Sequence, residues 1–369
     1  MKIPRYHYPA QFPDLPTVST AMTTALREGD YILGATVEHF ENRFAAYIGT
    51  RYAVGVNSGT DALVLALSAL GIGPGDEVIT VANTFHATVL AIHTVGATPV
   101  LVDCVHGSYL MDLDACRSAC GPRTAAILAV HLFGQALNMQ QLGEIADRAS
   151  VPIIEDCAQS VGGTWAGRRL GSFGVASAVS FHPSKNLAAA GDAGAVITDN
   201  PTLAERIRIL RNLGQDGQNH HVLHGYNSKL DALQALILDA KLDHLDTWNH
   251  QRRSAADDYR RQLADLDTVL VHSHPEPPGD HIYHLLQMTV PEPGRRDAVL
   301  DRLRQDGVDA VVRYPTPIHQ QPSFTTHSDE RFPVAEYQAG QTLCLPIRPD
   351  LRAEEISYVT ECVRAATCE

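Results

Sequence analysis

Seven short apolar runs, spaced by helical stretches, leave this chain few folds to choose from. They lie at 53–56, 77–81, 98–102, 125–130, 152–155, 176–181 and 195–198. Each is nearly continuous in apolar residues rather than alternating, which is the pattern of strands buried on both faces. Helices between such strands cover the two faces, so the order reads as an α/β protein with a mostly parallel, mixed sheet flanked by helices. At 369 residues the chain suits one large and one smaller unit. Residues 1–248 read as an N-terminal arm and the large unit, and 249–369 as a small α+β unit. In the latter, 283–290 and 308–314 look strand-like, 296–305 looks helical, and two more helices finish the chain. The Pro- and Gly-rich stretch 274–280 reads as a loop. Near the start, Val37, Phe40, Phe44 and Tyr47 share one helical face, with Glu41 and Arg43 largely off it. Residues 202–213 and 230–248 also read as helices. Gly71, Gly73 and Gly75 follow a helix and precede a strand, the wrong context for a dinucleotide fingerprint, so they read as a turn.

Three segments carry chemistry. The first is 177–199, where Pro183, Ser184 and Lys185 interrupt two apolar runs and leave one lysine on a constrained turn. A lysine amine at its ordinary value of about 10.4 is protonated and a poor nucleophile. In a partly dry pocket, beside another cation, it becomes a covalent catalyst. A lone lysine in a loop is more often just solvated. The second is P-I-I-E-D-C-A-Q (152–159), which puts Asp156 at the end of a strand, where ligands gather in open α/β sheets. Asp156 suits a protonated pyridine nitrogen, and equally a helix N-cap. In the third, N-S-G-T (57–60) joins a strand to a nearly all-apolar helix. Gly59 allows close backbone approach, and the helix start favours a phosphate. Ser58 and Thr60 also suit plain capping. The loop lacks the Walker pattern.

Phosphate cradle, pyridine-pairing aspartate and imine-forming lysine, in that order, suit pyridoxal phosphate (PLP). The chain resembles the DegT/DnrJ/StrS-type sugar aminotransferases among the fold-type I PLP enzymes. The matching stretches include N-S-G-T-D-A-L (57–63), G-I-G-P-G-D-E-V-I-T-V-A-N-T-F-H-A-T (71–88), H-L-F-G-Q (131–135), E-D-C-A-Q (155–159), S-F-H-P-S-K-N-L (180–187), G-Y-N-S-K-L-D-A-L-Q-A (225–235) and R-Y-P-T-P-I-H-Q-Q (313–321). The resemblance implies that Lys185 holds the cofactor as an internal aldimine and shuttles the proton. It implies that Asp156 pairs the pyridine nitrogen, Gln159 lies by the ring hydroxyl and Phe85 stacks on the ring. Gly59, Thr60, Asp61 (through its backbone) and Ser180 would hold the phosphate. Asn227 would reach the phosphate of a neighbouring subunit, implying a homodimer with active sites at the interface. Tyr31, His182, Arg313 and His319 are candidates for substrate contact, as is Ile32 beside Tyr31. Lys229 stands where the family often has Arg, and Arg313 where it often has His. Relatives with His in place of the lysine are dehydratases, and Lys185 argues against that chemistry.

The implied reaction moves an amino group from glutamate or glutamine to a nucleotide-linked keto-sugar in amino-sugar biosynthesis. H-L-F-G-Q is similar to relatives acting at the 3-keto position of a dTDP-6-deoxyhexose, whereas 4-keto enzymes more often read H-Y-A-G there. A 4-keto nucleotide sugar, a keto-cyclitol and a non-catalytic PLP-binding regulator stay as alternatives. A net charge of −13 and no basic run give no footprint for nucleic acid. No run is long enough to span a bilayer, and the N-terminus lacks an apolar signal core. Seven cysteines fit reduced thiols in a cytoplasm. Cys116 and Cys120 lack a second ligand pair, and His220, His221 and His224 lack a completing set, so no metal is expected.

Overall fold

A computed structural model of the chain describes residues 1–12, 14–272, 278–324 and 329–368. After the arm come helices α1 (Leu15–Glu28) and α2 (Gly34–Ile48). An alternation follows: β1 (Tyr52–Val56), α3 (Gly59–Ala69), β2 (Glu77–Val81), α4 (His86–Thr94), β3 (Thr98–Val102), α5 (Leu113–Ala119), β4 (Thr124–Val130), α6 (Met139–Ala149) and β5 (Ile153–Asp156). A two-stranded hairpin, β6 (Thr164–Trp165) and β7 (Arg168–Arg169), precedes β8 (Ala176–Ser180) and β9 (Gly194–Thr198). Helices α7 (Pro201–Arg211), α8 (Ala232–Leu242) and α9 (Leu245–Leu263) then lead to β10 (Leu270–Val271), β11 (Leu286–Thr289), α10 (Arg296–Gln305), α11 (Pro333–Gln341), β12 (Thr342–Leu345) and α12 (Ala353–Cys368).

The seven-stranded sheet has the order β1-β9-β8-β5-β4-β2-β3. All its pairs are parallel except β1–β9 and β8–β9, so β9 alone runs backwards. The carboxyl ends of β4, β5 and β8 and the start of β9 therefore meet at one edge. That edge is where an α/β sheet collects ligands. Buried side chains fill both faces, with Val54, Leu65 and Ile154 in one layer and Phe44, Ile127 and Phe181 in the other. A third core joins α9, α10 and α12 to the antiparallel sheet β10-β11-β12, around Tyr259, Met288 and Val359.

Three sequence readings change. Glu41, expected off the apolar face of its helix, is buried, because position 41 falls between Val37 and Phe44 on the packed side. Its charge is matched: the Glu41 carboxylate accepts from Arg211 Nη1 at 2.5 Å and from the Gly55 N–H at 2.7 Å. The helix expected over 230–248 is two, α8 and α9, divided by a tight turn in which the His244 N–H donates to the Lys241 carbonyl. The apolar spacing runs on through that turn, so periodicity cannot see it. The strand expected over 308–314 makes only isolated bridges, Val308 to Ile3 and Val311 to Cys344. Of the loop expected at 274–280, residues 274–277 lie outside the described residues. The glycines at 71–75 do form the turn between α3 and β2, with positive φ at Gly71 and Gly75.

Candidate active site

A cavity of about 400 Å³ opens at that sheet edge, lined by Gly59, Thr60, Phe85, Asp156, Ser180 and Lys185 among others. Gln159, His182 and Arg313 also line it. Of the residues expected at the site, Tyr31, Asp61, Asn227 and His319 do not. Tyr31 is exposed, its hydroxyl donating to the Leu26 carbonyl. His319 is buried elsewhere, with Nε2 3.1 Å from Glu336 and the ring edge-on to Phe332. Asn227 is exposed and accepts from Lys229.

Each element sets one piece. Asp156 ends β5 and caps no α-helix. Its carboxylate accepts from the Ala158 N–H at 3.1 Å and the Thr88 hydroxyl at 2.9 Å. Burial raises its pKa, while those two donors, Lys185 and His131 pull the other way. Lys185 lies in the loop between β8 and β9, its N–H donating to the His182 carbonyl. Burial pushes its amine down to about 8 from the ordinary 10.5; Asp156 opposes this and Arg313 reinforces it. Roughly one in ten such amines is unprotonated at pH 7, against about one in three thousand for an ordinary lysine.

The other end of the cavity is a cradle. Ser58 caps α3, its hydroxyl accepting from the Asp61 N–H at 3.1 Å, so that amide is already engaged. Gly59 and Thr60 stand ahead of the first i→i−4 bond, at the positive end of the helix dipole. A Cβ on Gly59 would sit 2.5 Å from Ser180 Cβ, and one on Gly194 2.4 Å from the Ser58 carbonyl oxygen. Only glycines let the three segments close up this far.

Several lining residues escaped the sequence reading. Tyr314 accepts from Gln159 Nε2 at 2.9 Å, and Gln159 Oε1 accepts from the Phe133 N–H at 2.6 Å. The Tyr314 ring lies 5.7 Å from that of Phe85, which is unusually exposed for a large apolar side chain. Thr88, His131 and Tyr314 sit inside matched stretches, so a signal existed. Tyr6 and His284 had none. Burial, and next Lys185, drives the His284 imidazole well below its ordinary range. Behind the cavity wall, Glu155 is fully enclosed. Its carboxylate accepts from His131, three backbone amides and Ser177. Burial works against ionisation there, but His131 and the Gly174 and Gly171 amides hold the carboxyl below its usual range. His131, Glu155 and Cys157 come within metal-ligand distance of one another, yet His131 Nδ1 accepts from the Leu137 N–H and Nε2 faces Glu155, which leaves the ring no free nitrogen.

The residues fit pyridoxal phosphate. A buried carboxylate suits a protonated ring nitrogen, an exposed Phe85 face suits the ring, and a glycine-lined helix start suits the phosphate. A partly dry amine suits the aldehyde. One prediction arises here. The chain has only four lysines, so peptide mapping separates them. In protein freed of cofactor, labelling of Lys185 by an amine-reactive reagent is expected to rise with a midpoint near pH 8. A midpoint near 10.5 would show that burial does not activate this amine.

Matches to known proteins agree with this geometry. Residues 16–364 match the model of the DegT/DnrJ/EryC1/StrS aminotransferase family. The chain is 42% identical over 346 residues to a dTDP-3-amino-3,4,6-trideoxy-alpha-D-glucose transaminase of Streptomyces venezuelae, covering 93% of this chain and 90% of that one. The crystal structure of S. venezuelae DesV in complex with a ketimine intermediate superposes with a TM-score of 0.94 at 41% identity, covering 99% and 98%. That of NtdA from Bacillus subtilis with bound cofactor PMP gives 0.93 at 33%, covering 100% and 86%.

Proposed function

This chain belongs to the DegT/DnrJ/EryC1/StrS aminotransferase family, a PLP-dependent transaminase, and we propose that it carries an amino group from glutamate or glutamine to the keto group of a nucleotide-linked sugar. The observation that carries this reading is one depressed amine and one buried carboxylate acting on each other at the wall of a single cavity. When bound, PLP supplies an aldehyde to take up the amine and a ring to accept the electron pair released at the substrate carbon.

The chain's own residues do the rest. Lys185 would hold the cofactor covalently and, once the incoming donor amine has displaced it, would carry the proton from the donor carbon to the cofactor carbon, as base and then acid. Asp156 keeps the ring nitrogen protonated; the Thr88 hydroxyl and Ala158 N–H aim its carboxylate. Gly59, Thr60 and Ser180 hold the phosphate, and Asp61 shapes the same helix start. Phe85 and Gln159, the latter held by Tyr314, would steady the cofactor ring. Arg313 meets a donor carboxylate, for which a guanidinium gives two parallel hydrogen bonds. His182 lines this cavity and stays the candidate for the sugar side, Tyr31 is open only to a partner's site, and His319 is held away by Glu336 and Phe332. Residues 1–248 make the cofactor-binding unit in this reading, and 249–369 a smaller unit that brings Arg313 to the cavity.

The acceptor we propose is a dTDP-3-keto-6-deoxyhexose. The H-L-F-G-Q segment supports it, as does the Streptomyces venezuelae relative, whose named sugar is dTDP-linked and bears its amine at the third carbon. With glutamate present, dTDP-3-keto-6-deoxyhexose is expected to gain an amine, read by mass spectrometry, at least about tenfold faster than the 4-keto isomer. Amination of the 4-keto sugar or a keto-cyclitol alone would reverse the choice, and no turnover of any keto-sugar would return the regulator reading. We place the protein in the cytoplasm, where thiols stay reduced.

We further propose a homodimer with shared sites. Asn227 and Tyr31 are exposed outside the cavity of their own chain, and Ile32 and Phe85 are exposed apolar side chains. If Asn227 serves the partner's phosphate, unfolding and refolding a mixture of Lys185→Ala and Asn227→Ala chains gives hybrids with one intact site. An equal mixture is then expected to recover about a quarter of wild-type activity from statistical pairing. Activity no greater than the mean of the two parents would place Asn227 in its own chain's site or in none.

A further inference from the structure

A second, smaller cavity of about 190 Å³ touches the first: Tyr6 and Lys185 line both. Its other walls carry Arg5 from the N-terminal arm, Arg252 from α9 and Arg348 from the segment after β12. Arg252 and Arg348 are only 6% and 5% exposed. Arg252 Nη1 donates to the Ile347 carbonyl at 2.9 Å and to that of Tyr283 at 3.4 Å, but its buried Nε meets no acceptor. Arg348 Nη2 donates to Glu355 at 2.6 Å and Nε lies 3.5 Å from Asp350, while buried Nη1 meets none. Arg5 Nη1 is buried without an acceptor as well, and its Nε lies 3.0 Å from Asp309.

Three guanidinium groups thus line one small space, and each has a buried nitrogen that meets no acceptor. Asp350 at the rim is shared between Arg348 and His7, and Glu355 is also engaged by Arg352. Among the described residues Arg252 makes no ion pair, its hydrogen bonds going to the Ile347 and Tyr283 carbonyls. Burying a cation without a counter-charge or full hydrogen bonding is costly. Burial depresses the Arg252 guanidinium to about 10, with Tyr6 and Asp350 opposing, and it stays charged at neutral pH. An anion in the cavity would supply the counter-charge that Arg252 lacks. Guanidinium forks match a carboxylate in two parallel bonds. The volume admits a short carboxylate chain and excludes a nucleotide-linked sugar.

We propose that this pocket is a carboxylate subsite that receives one end of a dicarboxylic amino donor, or of its 2-oxo acid product, beside Lys185. The assignment rests on the transaminase reading. It separates the two arginine sets: Arg5, Arg252 and Arg348 bind the distal carboxylate, while Arg313 faces the larger cavity.

The test is calorimetric titration of cofactor-loaded protein with glutarate, a dicarboxylate with no amine to give. Wild type is expected to bind it, and both Arg252→Gln and Arg5→Gln to weaken binding by about tenfold to a hundredfold, the worth of one or two charged hydrogen bonds. Arg252 also ties two carbonyls, so the far-ultraviolet dichroism and unliganded melting of its variant are recorded alongside. Arg5→Gln, on the arm, carries the test if the Arg252 variant misfolds. No glutarate binding by wild type, or affinity within twofold of wild type in a folded variant, overturns the subsite. Tighter Arg252-dependent binding of inorganic phosphate than of glutarate overturns the carboxylate assignment. Glutarate binding needs no amine transfer. Failure of glutamate to bleach the cofactor's visible band would instead count against the transaminase reading.

Discussion

Lys185→Ala is expected to stop amine transfer, with a loss of about 10⁴-fold or more, at the upper end of what one acid–base group supplies and with the covalent anchor lost besides. No other amine can stand in. Lys2, Lys229 and Lys241 line neither the large cavity nor the smaller one. The fold should survive, because Lys185 sits in a loop and its backbone N–H, which donates to the His182 carbonyl, does not depend on the side chain. The measurement is the bleaching of the cofactor's visible band on adding glutamate in a single turnover. Wild type bleaches and the variant does not. The cavity has room for a small amine once the side chain is gone, so ethylamine should restore part of the rate, increasingly as pH rises and frees its amine. Bleaching in the variant within tenfold of wild type would remove Lys185 from the chemistry and reopen the dehydratase and regulator alternatives.

Asp156→Asn should cost about 10²–10³-fold in kcat, the usual size of one preorganised electrostatic contact in a site. The amide keeps the shape and can still accept from the Ala158 N–H, so little stability is lost. What disappears is the negative charge that keeps the ring nitrogen protonated. The wild-type pH profile of cofactor uptake should carry the same signature. Before the cofactor is bound, burial holds the Asp156 carboxyl above its ordinary range, so its charge, and with it cofactor uptake, falls away as pH drops through that raised value. The acid limb should vanish in Asp156→Asn. An unchanged kcat, or an acid limb identical to wild type, would show that Asp156 does not serve the ring.

Much of the large sheet was legible because its strands are buried on both faces. Runs such as 77–81 and 98–102 are mostly apolar, with Glu77, Thr80 and Thr98 the polar exceptions, and the strands begin and end there. What periodicity cannot carry is a break inside a continuing pattern, as between α8 and α9, or a charge that finds its partner far away, as Glu41 finds Arg211. Residues 308–314 are rich in Val and look like a strand. Yet Pro315 and Pro317 follow at once, and Arg313 and Tyr314 are turned into the cavity rather than onto a neighbouring strand. The candidate site divides in the same way. Lys185, Asp156 and Gly59 stand within short motifs whose local geometry is their function. Tyr6, His284, Arg252 and Arg348 come from the arm, the 281–285 segment, α9 and the segment after β12. Only tertiary packing brings them together, and no spacing along the chain announces it.

The reversed strand β9 has a consequence for the birth of the molecule. β1 touches the sheet through β9 alone, and Val54 pairs with Val196 about 140 residues later. On a ribosome adding about 5–20 residues per second, β1 therefore waits roughly seven to thirty seconds for its partner to be made. Throughout that interval an apolar strand with two unsatisfied edges hangs from the nascent chain, together with the glycine cradle that follows it. Fragments ending before residue 194 should be bound by chaperones rather than folded, and the phosphate end of the site should be the last part of the large sheet to take shape.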